Sequence, residues 1–74
     1  MIEYSERLKA AMDARAVSVS QLASGMGVSY QAVKRVLDGL SKAFSAANNA
    51  RAAAHLQVNP DWLATGEGLM RVDA

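Results

Sequence analysis

Residues Gln21–Gly39 read QLASGMGVSYQAVKRVLDG, a helical segment that breaks at Gly25-Met26-Gly27 and restarts almost at once. Just ahead of it, Ser18 followed three residues later by Gln21 forms a capping box, so a helix begins at Ser18. Leu22 and Ala23 then face inward. The helix is expected to end near Met26, because Gly27 can take the left-handed conformation without a Cβ penalty. Only Val28 separates that glycine from Ser29, an N-cap residue for the next helix. At about 100° per residue, Val33, Val36, Leu37 and Leu40 gather on one face of that helix. Gln31, Lys34, Arg35 and Asp38 gather on the other, with Tyr30 at the boundary and Gly39 helping to end it.

A helix, a short turn containing glycine and a second helix with a polar outer face form the arrangement that lays one helix across a DNA backbone and the next in the major groove. Leu22, Ala23, Val28, Val33 and Val36 are the side chains expected to lock the angle between the two. Gly25, inside the first of them, costs up to about 1 kcal/mol relative to alanine, and it allows close packing.

The rest of the chain reads as helix too. A single proline, no alternating β-branched run and abundant alanine and leucine argue for an all-α fold of five helices. The first spans about Ser5 to Arg15, with Leu8, Ala11, Met12 and Arg15 in an apolar stripe, Tyr4 behind it and an ordinary solvated polar face. Ser45 caps a fourth helix through about Leu56, whose inward stripe of Ala52, Ala53 and Leu56 implies close approach to a neighbour. Asn49 falls on the same stripe. Either it is buried and bonds a nearby backbone group, or the helix is rotated and Asn49 is solvated. The fifth helix is short, with Asn59 as N-cap, Pro60 at its first position, Asp61 favourable to the dipole, Trp62 and Leu63 as anchors and Gly66 as stop.

With 74 residues the chain makes one compact domain. We expect it to cover residues 1–68, with the helix-turn-helix at about 18–39 and residues 69–74 as a tail or the start of a linker. There is no cysteine, no apolar run long enough to span a membrane and no signal-peptide core at the N-terminus. These features fit a cytoplasmic protein. Net charge is only +1 with pI ≈ 8.2, but the cations cluster. From Tyr30 to Leu56, Lys34, Arg35, Lys42 and Arg51 face Asp38 alone, a local +3, whereas four cations meet six anions in the remainder, or −2.

The pattern LA-x3-GVS-x3-V-x2-V-x2-G from Leu22 to Gly39 resembles the helix-turn-helix of the lambda-repressor-like family of phage repressors, Cro proteins and related bacterial regulators. The later stretch VNPDWLATGEG, Val58 to Gly68, is similar to the segment that closes the DNA-binding domain of lambdoid phage repressors. The resemblance spans Ser5 to Met70. It implies a five-helix DNA-binding domain in which Tyr30, Gln31, Lys34 and Arg35 read bases and Ser18, Gln21, Ser29, Ser41 and Lys42 approach phosphates. The residue types suit that work. Glutamine can bond adenine bidentately, arginine and lysine donate to guanine O6 and N7, and a tyrosine ring can meet a thymine methyl or bond a phosphate. The sequence departs from the family at Val19, where many members carry a glutamine that braces the recognition helix.

The resemblance further implies a transcriptional repressor binding a two-fold operator as a homodimer in a bacterial host cell, associated with the nucleoid. Trp62 and Leu63 are candidate dimer contacts, and no cofactor or metal is expected. The competing interpretation is a protein-interaction module of the same fold, binding an antirepressor or a toxin-like partner. For single residues the simpler alternatives are a solvated face for Gln31 and Lys34, packing along their own helix edge for Tyr30 and Arg35, and a core role for Trp62. His55 has no second histidine or cysteine for a metal site, and no nucleophile, base and orienting group recur at a spacing that suggests an enzyme.

Overall fold

The structure, a computed structural model, describes residues 3–71. The ends of the expected domain and tail, residues 1–2 and 72–74, lie outside them. Five helices follow one another: α1 (Tyr4–Arg15), α2 (Val19–Met26), α3 (Tyr30–Leu37), α4 (Ala46–Leu56) and α5 (Pro60–Thr65). There is no strand among the described residues, only an isolated antiparallel bridge between Val58 and Arg71.

Local chemistry sets the helix starts. The Ser18 hydroxyl accepts from the Gln21 amide, and the Gln21 side chain accepts from the Ser18 amide, completing the reciprocal cap. Ser29 accepts from the Ala32 amide, Ser45 from Asn48 and Asn59 from Asp61, so four of the five helices open on a side-chain cap. Gly27, at φ +74, closes α2 in the left-handed region. The same conformation is forced on two residues with a Cβ, Ala16 after α1 and Gln57 after α4.

The helices pack because their stripes share one core. Leu8, Leu22, Val33, Leu56 and Leu63 are fully buried, one from each helix. α2 lies against both α3 and α4, α1 runs across α3, α4 and α5, and α5 rests on α4 and α1 without touching α3. The alanines of α4 allow the close approach to α2 that the sequence implies, with Ala52 and Ala53 buried beside Leu22 and Ala23. Gly25 serves the same contact. A methyl group there would overlap the His55 ring.

Three sequence expectations need correction. The polar face of α1 is not simply solvated, because Arg7 is buried against Tyr4 and donates from Nε to the Leu63 carbonyl at 3.0 Å and from Nη2 to the Ala64 carbonyl at 3.1 Å. Its guanidinium caps the exposed carbonyl end of α5, a favourable place for a cation. Leu40 does not extend the apolar face of α3. Gly39 turns the backbone at φ +78 and sends Leu40 outward, 71% exposed. Trp62 and Leu63 are core anchors, and Leu63 has no exposed surface with which to make a dimer contact.

Asn49 is buried. Its amide group donates to the Pro60 carbonyl at 3.1 Å, and its oxygen accepts from the Tyr4 hydroxyl at 2.7 Å. Of the two orientations open to α4, the structure therefore has the inward one. The segment after Gly68 also stays tied down: the Asn59 amide donates to the Met70 carbonyl at 2.6 Å, beside the Val58–Arg71 bridge.

Candidate nucleic-acid interface

α2 and α3 form a rigid pair. Leu22, Ala23 and Met26 on one helix meet Val33 and Val36 on the other, and Val28 in the turn is packed against the same core. The Val28 amide donates to Ala23 O at 3.0 Å, which ties the turn to the helix it leaves. Val19, at the position where the family resemblance calls for glutamine, is half-buried and packed against the core instead of offering a polar side chain.

On the far side of α3 the structure brings Gln31, Lys34 and Arg35 together with Asp38 and Leu40 around one concavity of about 260 Å³. All five are exposed. Tyr30, half exposed, stands at the start of the same helix. An α-helix with its side chains is about 10–12 Å across, a diameter that a major groove about 12 Å wide admits, so α3 can enter it side-chain face first. The ridge is therefore both accessible and of the right size.

Its electrostatics are mixed rather than uniformly positive. Lys34 Nζ sits 3.2 Å from Asp38 Oδ1, with both side chains about half exposed. An exposed i,i+4 pair of this kind is worth roughly 0.3–0.5 kcal/mol, so either partner can exchange it for a better one. Asp38 thereby neutralises part of the ridge in the unbound protein and leaves Arg35, which makes no ion pair among the described residues, as the free cation beside Gln31.

The candidate phosphate contacts fall into three places. Ser18 and Gln21 are exposed at the start of α2, where each spends one polar atom on the capping box, and Ser29 caps α3. Ser41 and Lys42 follow α3 and line a different cleft, with Glu3, Ser5 and Arg7 of the α1 region. They are not gathered with the base-reading candidates. Arg7 and Arg15 serve the fold: Arg15 donates to the carbonyls of Leu56 and Gln57, both at 2.9 Å, as Arg7 does to the end of α5. Two arginines of α1 thus hold the carboxyl ends of two other helices, Arg15 from the inward stripe where the sequence places it and Arg7 from beside it. Among the described residues no cluster of histidine and carboxylate side chains could hold a metal ion, and no helix is long and apolar enough to cross a membrane.

Five helices with a glycine turn between a braced helix and an exposed one define a small all-helical helix-turn-helix domain. Relatives agree with that class. The chain is similar to the HTH-type transcriptional regulators for the conjugative elements R391 of Providencia rettgeri, SXT of Vibrio cholerae and pMERPH of Shewanella putrefaciens. In each case 36% of 68 residues are identical, covering 92% of this chain and 31% of the relative. The chain therefore spans about a third of the length of the curated relatives it matches. No protein-family model matches it.

Proposed function

We propose that the chain is the DNA-binding domain of a transcriptional regulator of the lambda-repressor-like kind, reading double-stranded DNA through the major groove with α3. The observation that carries this reading is the exposed ridge of Gln31, Lys34 and Arg35 on a helix whose other face is locked into the core by Val33 and Val36. Tyr30, Gln31, Lys34 and Arg35 read bases. Ser18, Gln21, Ser29, Ser41 and Lys42 anchor phosphates, with the helix-end amides adding to their hold. The names of the similar proteins support a regulatory role.

A single short helix reads few base pairs, so specificity calls for two copies on half-sites about 34 Å apart. The chain acts as a homodimer on a two-fold operator, as a repressor, in the cytoplasm where the DNA is. Because Leu63 is enclosed, a dimer contact near α5 falls to its exposed neighbours and to the sliver of Trp62 that remains accessible. The alternative of a module for an antirepressor or toxin-like partner would gain support from exposed apolar side chains on α5, and its two large ones are buried.

Selection of bound duplex from a random pool tests the proposal. A palindromic consensus is expected, and the absence of enrichment over non-specific duplex would overturn it.

A further inference from the structure

We propose that Leu40 is a specificity-determining residue that receives the 5-methyl group of a thymine at the edge of the ridge. The inference rests on the DNA-binding reading above and adds a chemistry that the polar residues of α3 cannot supply.

Leu40 is 71% exposed, yet it is not a loose loop residue. Its amide donates to the Arg35 carbonyl at 2.9 Å, and the Ser41 amide donates to the same carbonyl at 3.2 Å. With Gly39 in the left-handed conformation, these two bonds fix where the side chain emerges. It emerges on the concavity lined by Gln31, Lys34, Arg35 and Asp38. A large aliphatic group is thus held at the border of a polar, partly cationic recess, with most of its surface open.

The charges beside it select the occupant. Lys34 and Arg35 favour a polyanion over an apolar protein segment. On the floor of the major groove the thymine methyl is the apolar feature, set among donors and acceptors that glutamine and arginine can bond. Leucine in that position prefers a T·A pair over a pair that lacks the methyl, while its neighbours bond the adjoining edges.

The test uses the full chain and the duplex that a random pool yields. Each thymine of a half-site is replaced in turn by uracil, which removes the methyl and leaves pairing unchanged. One replacement per half-site should weaken binding about four-fold, the effect of leaving one methyl-sized group unburied. Leu40→Ala, checked for an unchanged helical spectrum and melting temperature, should bind the thymine and uracil duplexes alike. If the selected duplex is bound specifically but no uracil replacement matters, or if Leu40→Ala keeps the preference, the Leu40 assignment fails and the DNA-binding reading stands. If no duplex is enriched at all, both fail.

Discussion

The Tyr4 hydroxyl donates to Asn49 Oδ1 across 2.7 Å, joining α1 to α4 between residues 45 positions apart. Asn49 in turn donates to the Pro60 carbonyl and so brings in α5. Among the described residues no buried side-chain nitrogen or oxygen lacks a partner, which is the condition for keeping an amide inside a small core. The Tyr4 ring also takes the Phe44 ring edge-on at 5.9 Å, so it carries apolar and polar contacts together. Tyr4→Phe keeps the ring and orphans the Asn49 oxygen. It should cost about 1–2 kcal/mol in denaturant unfolding.

The same residue sets an alkaline limit. Burial pushes the Tyr4 hydroxyl well above the ordinary tyrosine range, partly offset by the nearby Arg7 charge and a backbone bond at Phe44. An acid whose pKa is raised on folding keeps its proton in the native state after the unfolded chain has lost it. Its contribution is complete below about pH 10, the unfolded value, and is lost as pH rises through the folded value. Stability should therefore fall above about pH 10, and Tyr4→Phe should remove part of that slope in melts across the alkaline range.

Arg7 presents a comparable case with larger stakes. Arg7→Met leaves the Leu63 and Ala64 carbonyls without their charged donor and should destabilise by about 3 kcal/mol in denaturant titrations. Arg7→Lys recovers only part of this, because an ammonium cannot present two parallel donors to successive carbonyls.

Gly25 and His55 should behave as a coupled pair. Alanine at 25 gains about 1 kcal/mol of helix propensity, but its methyl meets the imidazole. Gly25→Ala alone should give no stabilisation, whereas in a His55→Ala background it should raise stability by about 1 kcal/mol. A double-mutant cycle in urea measures the difference.

Ala16 sits at φ 55 and is exposed, so its side chain brings strain and no packing. Ala16→Gly should stabilise by about 1 kcal/mol, read as a rise in melting temperature.

On DNA, Gln31→Ala should relax base preference at one position per half-site. Lys42→Ala should instead weaken all sequences evenly and reduce the salt slope by about 1. Uniform weakening by Gln31→Ala in a competition assay would show that its role is misassigned.

The helix starts were legible in the sequence because a cap is local: Ser18, Ser29, Ser45 and Asn59 stand where the rules of orphan amides require them. The inward stripes were legible for the same reason. Arg7 was not, although its spacing from Tyr4, Leu8 and Ala11 puts it on the apolar stripe of α1. A charged residue is read as surface unless its partner is known, and that partner, the end of α5, lies more than fifty residues away. Leu40 was misread because periodicity continues on paper past Gly39, whereas the backbone does not. The exposure of Gln31, Lys34 and Arg35 could be anticipated from α3 alone, but their shared concavity with Leu40 depends on the turn that follows.

The tie between Asn59 and Met70 has a practical corollary for anyone wishing to attach something to this molecule. It seats the outgoing chain beside α5, which has α1 and α4 for neighbours and makes no contact with α3. A fluorophore or carrier joined at Arg71 would be tethered beside the start of α5 rather than on α3, away from the side chains assigned to base recognition.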